Sequence, residues 1–145
     1  MADFEPSNGL VIRYDFLWKS EDSKGQEHGI KDRPCAIILT SKPSEDGSRK
    51  VVVCPITHST PKGGHSLEIP PKVSRHLGLD SQKSWIRTNE VNVFTWNRGQ
   101  VPVGVTQASR EKWEFGFIPS KLFYQLRDQF IAHREAHALK VVQRD

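Results

Sequence analysis

A chain of 145 residues with 36% hydrophobic and 26% charged residues is long enough to bury a single hydrophobic core, which we expect at about residues 9–138. Its formal net charge of +4 permits a nucleic-acid partner without requiring one. No apolar run is long enough to span a bilayer, and residues 1–8 lack the apolar segment of a secretory signal. We therefore expect one cytoplasmic domain, at residues 1–145, without a membrane partner.

The first predicted strand lies between Gly9 and Trp18, where polar and apolar residues alternate as in a half-buried strand. The next segment, Lys19 to Lys31, is polar and contains two glycines, so we expect a long exposed loop. Loops of this length inside a compact domain are often functional, and this one leads directly to Arg33.

The two clearest strands are residues 33–40 and 51–57, which are apolar runs rich in β-branched residues. The polar segment between them contains Pro43 and Gly47 and predicts an antiparallel hairpin. The start of one strand then lies beside the end of the next, which places Arg33 and Thr57 at one edge of the sheet. A guanidinium beside a hydroxyl suits a phosphate, although both residues are also ordinary at strand ends.

The two cysteines, Cys35 and Cys54, lie in these two strands. We expect reduced core thiols, as is usual in a cytoplasmic protein, that could face each other across the hairpin. A disulfide between them is the less favoured alternative.

The second half of the chain begins with a short strand at residues 66–70 and one helical turn at 71–78. A longer strand is predicted at residues 84–94, with a bend at Thr88-Asn89. Residues 96–114 contain two glycines and a proline and indicate an inserted loop or an irregular hairpin.

One clear helix is predicted from Pro119-Ser120 to about Ala138, with Ser120 as its N-cap and a basic tail at residues 140–144. Its apolar stripe consists of Leu122, Phe123, Leu126, Phe130 and Ile131. Several short strands with one terminal helix favour a mainly β fold, a small barrel covered by the C-terminal helix.

Two further sets of residues allow alternative interpretations. Cys54, His58 and His65 are of the types that bind zinc, but they lack the second half of a zinc motif, so we expect no metal. Three tryptophans could stack on bases or lie in the core or a dimer interface; these are Trp85, Trp96 and Trp113.

The order of these motifs resembles that of the PemK/MazF-like toxins of type II bacterial toxin–antitoxin systems. The resemblance combines Lys31-Asp-Arg-Pro34 with Val51-Val-Val-Cys-Pro-Ile-Thr57 and covers the chain from about residue 9 to about residue 138. It implies an SH3-like barrel that acts as a homodimer and cuts single-stranded RNA without a metal or other cofactor. It also implies a cognate antitoxin protein as a partner.

The resemblance further implies roles for residues at matching positions. Arg33 and Thr57 match the two residues to which catalysis is usually assigned. Glu27 and His28 fall in the loop that covers the substrate in relatives, and they offer groups for proton transfer.

Four more residues are expected to bind the substrate, and they are Lys31, His58, Arg87 and Asn89. One branch of the family has a catalytic Arg and Asp at the last two positions, but an amide cannot serve as a general base. Arg87 could instead form an incidental ion pair with Glu90 or Asp15.

Two other functions are compatible with the same fold. The first is a non-enzymatic, CcdB-like poison that inhibits a topoisomerase, although such relatives do not need the pair Arg33 and Thr57. The second is an inactive binding module, which the amide at Asn89 leaves open.

Overall fold

Nine strands and three helices are present in the computed structural model, which describes residues 4–59 and 63–145. The strands are β1 (Leu10–Tyr14), β2 (Arg33–Thr40), β3 (Arg49–Thr57), β4 (Ser66–Glu68), β5 (Trp85–Arg87), β6 (Glu90–Trp96), β7 (Val105–Thr106), β8 (Glu114–Phe117) and β9 (Lys140–Gln143). The helices are α1 (Lys19–Ser23), α2 (Pro71–Leu77) and α3 (Ser120–Glu135).

The predicted hairpin forms the centre of the sheet. Strands β2 and β3 pair antiparallel, with Cys35 opposite Pro55 and Ala36 opposite Cys54. Strand β1 pairs with the outer side of β2. The other side of β3 is shared, because the end of β3 pairs with β5 and its first half pairs with β6.

The remaining strands leave the sheet open. Strands β7 and β8 pair only with β1, β4 pairs only with β5, and β9 runs parallel to β6. The described residues therefore do not form the closed barrel that the sequence led us to expect. The mainly β class and the C-terminal helix are confirmed.

Both faces of the sheet are covered, each by its own hydrophobic cluster. Helices α2 and α3 pack against one face through Leu77 and Leu126, which lie in the same cluster as Cys54. The other cluster contains Cys35 and Trp96. Because successive residues of a strand point to opposite faces, the expectation that the two cysteines face each other is wrong.

Both thiols are free and buried, as expected. Burial raises the pKa of Cys54 to about 12 and raises the pKa of Cys35 well above its ordinary value. Neither sulfur is therefore a ready nucleophile or metal ligand in the folded protein.

Strand β1 is more deeply buried than predicted. Both faces of this strand are covered, and of its five residues only Arg13 is exposed. It is therefore not half-buried, because Val11, on the face that we expected to be in water, lies in the cluster that contains Leu77 and Leu126.

The segment predicted as a loop after Trp18 contains the short helix α1 (Lys19–Ser23). The Glu21 carboxylate accepts a hydrogen bond from the Trp18 backbone amide at 3.0 Å, and Glu21 is buried. A side chain that bonds back to the start of its own helix stabilises one otherwise unpaired amide, which helps a helix of five residues to form.

The break in the second long strand is confirmed, because β5 ends at Arg87 and β6 begins at Glu90. Residues 97–113 are irregular apart from the two-residue strand β7, in agreement with the predicted loop. Helix α2 spans seven residues and is therefore longer than the single turn that we predicted.

The C-terminal helix has the predicted buried stripe of Leu122, Leu126 and Phe130. Its N-cap is Pro119, and no side chain caps it, so the capping role predicted for Ser120 is wrong. The helix ends at Glu135 rather than near Ala138.

The basic tail is strand β9 rather than an extension beyond the core. It pairs with β6, with Val141 opposite Val91, and Val142 is buried. The core thus extends past residue 138, because the two valines bury their side chains only once β6 is present beside them.

Candidate nucleic-acid interface

Arg33 and Thr57 meet at one edge of the sheet, as antiparallel pairing predicts. The paired residues end at Cys35 opposite Pro55, and extending this register by two residues gives Arg33 opposite Thr57. Each residue has a neighbour on its other side, since Tyr14 pairs with Arg33 and Trp85 pairs with Thr57.

Trp18 brings a second arginine to this edge. The guanidinium carbon of Arg33 lies 5.2 Å from the centre of the Trp18 ring, and that of Arg87 lies 5.5 Å from it. We refer to Trp18, Arg33 and Arg87 as the arginine edge. Two like charges are thus held beside one aromatic ring, whose face attracts cations.

The arginine edge has unused hydrogen-bonding capacity. The Nε atoms of Arg33 and Arg87 are buried, and neither has a hydrogen-bond partner among the described residues. An unsatisfied buried polar group costs about 1–3 kcal/mol, and more when it is charged. A guanidinium offers donors to phosphate oxygens in a planar fork, so a bound anion would meet these half-buried side chains through the terminal donors of their forks.

The alternative ion pairs of Arg87 are not formed. The Glu90 carboxylate accepts a hydrogen bond from the Lys19 backbone amide at 3.1 Å. Asp15 forms its ion pair with Arg144 at 3.1 Å. Arg87 is therefore not neutralised by either acid.

Thr57 and Asn89 add two polar groups to this region. Thr57 ends β3, which pairs with β5, and Asn89 lies two residues after Arg87. The Oδ1 atom of buried Asn89 has no hydrogen-bond partner among the described residues. Thr57 is buried, and its Oγ1 accepts a hydrogen bond from the Ser59 amide at 3.1 Å. The Thr57 hydroxyl donates to no acceptor among the described residues, and Asn89 offers an acceptor but no base.

Glu27 and His28 belong to a different part of the surface. His28 is 70% exposed, and its Nδ1 lies 3.1 Å from Oδ2 of Asp15. The Glu27 carbonyl accepts a hydrogen bond from Arg144 at 3.3 Å. Both residues line a cleft of ≈ 590 Å³, and their contacts are with Asp15 and Arg144 rather than with Arg33 or Thr57.

Asp15, Asn92 and Arg144 form a partly buried network beside this cleft, which we name the C-terminal clamp. Arg144 contacts Oδ2 of Asp15 at 3.1 Å and Oδ1 of Asn92 at 2.9 Å. Asp15 also accepts a hydrogen bond from the Gly29 amide at 2.6 Å. The clamp thus fixes the loop that carries His28 against the end of the chain.

The two remaining residues predicted to bind substrate differ in their surroundings. Lys31 is exposed on the loop that precedes β2. His58 follows Thr57, and its Nε2 lies 2.8 Å from Oδ2 of Asp80 while its Nδ1 lies 2.9 Å from the Lys83 carbonyl.

The zinc alternative has no geometric support in residues 4–59 and 63–145. Within these ranges no three His, Cys, Asp or Glu side chains converge. The His65 ring lies 5.2 Å from that of His133 instead, and Cys54 is buried in the core.

Trp18 is the residue of the arginine edge that our sequence reasoning missed. Of the tryptophans proposed as stacking platforms, Trp96 is a core residue, whereas Trp85 and Trp113 are half-buried. The available signal was the position of Trp18 at the end of the first strand, directly before the loop that leads to Arg33.

Comparison of the chain with known protein families, curated proteins and solved structures gives no match. The family likeness therefore depends on the motifs in the sequence. In the part of the chain that the structure describes, no helix has the length and apolar character needed to cross a membrane.

Proposed function

We propose that this protein is an endoribonuclease that cuts single-stranded RNA, the toxin of a PemK/MazF-like type II toxin–antitoxin pair. The observation that carries the proposal is the arginine edge. Two buried guanidinium Nε atoms have no partner there in residues 4–59 and 63–145, and both arginines stack on Trp18. Cationic groups interleaved with an aromatic ring are what a single-stranded RNA requires of a binding surface.

The chemistry requires three tasks. The 2′-hydroxyl loses its proton and its oxygen bonds to phosphorus, the bond from phosphorus to the 5′ oxygen breaks, and that oxygen gains a proton. The products are a 2′,3′-cyclic phosphate and a 5′-hydroxyl. Because the nucleophile belongs to the RNA, the protein needs to supply charge stabilisation and proton transfer, and such groups act without a metal.

We assign charge stabilisation to Arg33 and Arg87, and a hydrogen bond to the phosphate or the 2′-hydroxyl to Thr57. Asn89 would accept a hydrogen bond from the RNA, and Lys31 would attract its backbone. His28, whose Nδ1 lies 3.1 Å from Asp15, and Glu27 beside it are the candidates for proton transfer, and they would act only in a complex in which their loop closes over the phosphate at the arginine edge. An RNA strand would meet these two groups if it extended from the arginine edge to the cleft.

The biological setting is part of the same proposal. Cleavage of mRNA would stop translation and growth in the cytoplasm, and a cognate antitoxin would cover the basic edge. The protein would act as a homodimer with an SH3-like arrangement of its strands. Sedimentation at micromolar concentration tests the dimer, and purification from the native host tests the antitoxin.

An RNA-binding module without catalysis is the second candidate. The observation in its favour is Asn89, whose amide stands where one branch of the family has a catalytic acid. A topoisomerase poison of the CcdB-like kind is a weaker alternative, because it would leave the unpaired arginines without a role.

The test is digestion of a long unstructured RNA in EDTA by wild type, Arg33→Ala and Arg127→Ala. Arg127 is the control, because it is exposed and its ion pair is with the adjacent Asp128 at 3.2 Å. We expect discrete cuts with cyclic phosphate ends from wild type and Arg127→Ala, and a loss of about 10²–10³ in rate for Arg33→Ala. Circular dichroism checks that all three proteins are folded.

Equal cutting by Arg33→Ala and wild type would remove the central assignment. Binding of the RNA by folded wild type without any cleavage would favour the non-catalytic module.

A further inference from the structure

A small pocket lies at the same edge of the sheet as Arg33 and Thr57 but on the other face. Its volume is ≈ 140 Å³, and its wall includes Pro34 and Ile56, the chain neighbours of Arg33 and Thr57. Adjacent residues of a strand point to opposite faces, so the pocket lies on the face of the sheet opposite to the side chains of Arg33 and Thr57.

One of the residues that line the pocket, Ser84, has an unused hydrogen-bonding group. Ser84 is 1% exposed, and its hydroxyl has no hydrogen-bond partner among the described residues. A buried hydroxyl without a partner is destabilising, and a ligand that bonds to it recovers that cost.

The rest of the lining suits a flat aromatic ligand with polar edges. Phe115 and Ile56 supply apolar surface, whereas His58 and Asp80 supply polar groups that are 42% and 56% exposed. Among protein cavities, one of about 150 Å³ is known to admit a benzene ring. The pocket therefore has the size for one ring system rather than for a whole nucleotide.

We propose that this pocket binds one nucleobase of the RNA, at a position next to the scissile phosphate. The base would lie against Phe115, and the Ser84 hydroxyl would bond to its edge. The strand would pass over Pro34 and His58, which separate the pocket from Arg33 and Thr57. This inference rests on the proposed function and adds a source of sequence preference to it.

The first experiment sequences the ends that the enzyme produces from a library of random single-stranded RNA. Wild type should prefer one base at a position beside the cut. Ser84→Ala should relax that preference by about five- to tenfold, the value of one hydrogen bond to a buried group, while the other positions keep theirs. Ser120→Ala is the matched control, because the Ser120 hydroxyl is exposed and does not cap its helix.

The second experiment does not depend on cleavage. Each of the four ribonucleoside 5′-monophosphates is added to ¹⁵N-labelled wild type, with inorganic phosphate as the reference. We expect at least one nucleotide to shift the amides of residues 78–84 and 115, which phosphate alone leaves in place. Ser84→Val, which fills the pocket with methyl groups, should abolish those shifts, and its unperturbed spectrum elsewhere would show that it is folded.

The outcomes separate the two proposals. If Ser84→Ala cuts RNA with unchanged preference, the base pocket is wrong and the ribonuclease function stands. If wild type cuts no RNA but a nucleotide shifts the pocket amides, the ribonuclease function and the position beside a scissile phosphate are wrong, and nucleobase binding by the pocket stands. Absence of both cleavage and nucleotide shifts overturns both.

Discussion

The arginine edge and the C-terminal clamp both contain an arginine stacked on an aromatic ring, but they differ in the hydrogen bonds that the guanidinium donates. In the clamp, the Arg144 guanidinium lies 5.2 Å from the centre of the Tyr14 ring, the same distance as between Arg33 and Trp18. Arg144 also bonds to Asp15, Asn92 and the Glu27 carbonyl. At the edge, stacking is present, but the Nε–H groups of the two arginines donate no hydrogen bond to any described residue.

This contrast separates an arginine that stabilises the fold from one that is available to a ligand. Stacking on an aromatic ring does not distinguish them, because it occurs in both places. The difference lies in the partners of the donor groups, which in the clamp are supplied by the chain itself. At the edge they would come from a phosphate.

The largest effect on stability should come from Arg144→Met. This substitution removes the ion pair of Asp15, which is 13% exposed, and one of the hydrogen bonds of Asn92, which is fully buried. Breaking a buried pair by deleting one partner typically costs about 3–5 kcal/mol of unfolding free energy. Urea unfolding measures the loss directly.

Arg127→Met is the control for this experiment. Arg127 also stacks on a tyrosine, with its guanidinium carbon 4.9 Å from the centre of the Tyr124 ring, but it is exposed. Its loss should cost no more than about 1 kcal/mol. Equal losses of unfolding free energy in the two variants would show that the hydrogen bonds of the clamp add no stability beyond that of stacking.

The next effect concerns RNA affinity rather than stability. Arg87→Met should weaken binding of an oligonucleotide and reduce the salt dependence of the affinity by about 0.7 in the slope of log K against log salt concentration, the value for one phosphate contact on a single strand. Fluorescence anisotropy between low and moderate salt measures that slope. An unchanged slope would mean that Arg87 does not meet a phosphate.

Local patterns in the sequence were sufficient for the central hairpin and its edge. The strand Arg33–Thr40 has the predicted bounds, and antiparallel pairing alone implies that Arg33 lies opposite Thr57. The break between Arg87 and Glu90 could also be predicted, because neither set of alternate residues in the segment 84–94 is apolar throughout.

Features that depend on distant contacts could not be predicted in the same way. Strand β9 looks like a basic tail until β6 pairs with it, and Asp15 and Arg144 are 129 residues apart in the chain. Trp18 contacts the two arginines only in the folded chain, where β2 places Arg33 and β5 places Arg87 beside its ring. No window of the sequence contains all three residues.

Trp18→Leu should have a moderate effect on binding. It removes the ring that holds Arg33 and Arg87 but keeps a side chain of apolar character. A cation–π contact contributes about 0.5–1 kcal/mol at an exposed site and more when desolvated, so RNA affinity should fall about three- to tenfold. Affinity equal to wild type would mean that the arginines are positioned by the strands alone.

The control for Trp18→Leu is Trp113→Leu. Trp113 is half-buried beside Phe4, at 5.8 Å between ring centres, and contacts neither arginine of the edge. Its replacement should change stability without changing RNA affinity. A similar loss of affinity in both variants would indicate a general effect of destabilisation.

The smallest expected effect is a pH dependence of stability that arises from His133. Burial and the neighbouring His65 lower the pKa of His133 from its ordinary value of 6.5, so the unfolded chain takes up this proton more readily than the folded one. The contribution of His133 to the free energy of unfolding should therefore be fully present above about pH 6.5 and decrease as the pH falls below it.

Urea unfolding from pH 8 to pH 5 should show a flatter dependence of stability on pH for His133→Gln than for wild type. His76→Gln, at an exposed position of α2, should keep the wild-type profile. A wild-type slope in His133→Gln would assign the pH dependence to other groups.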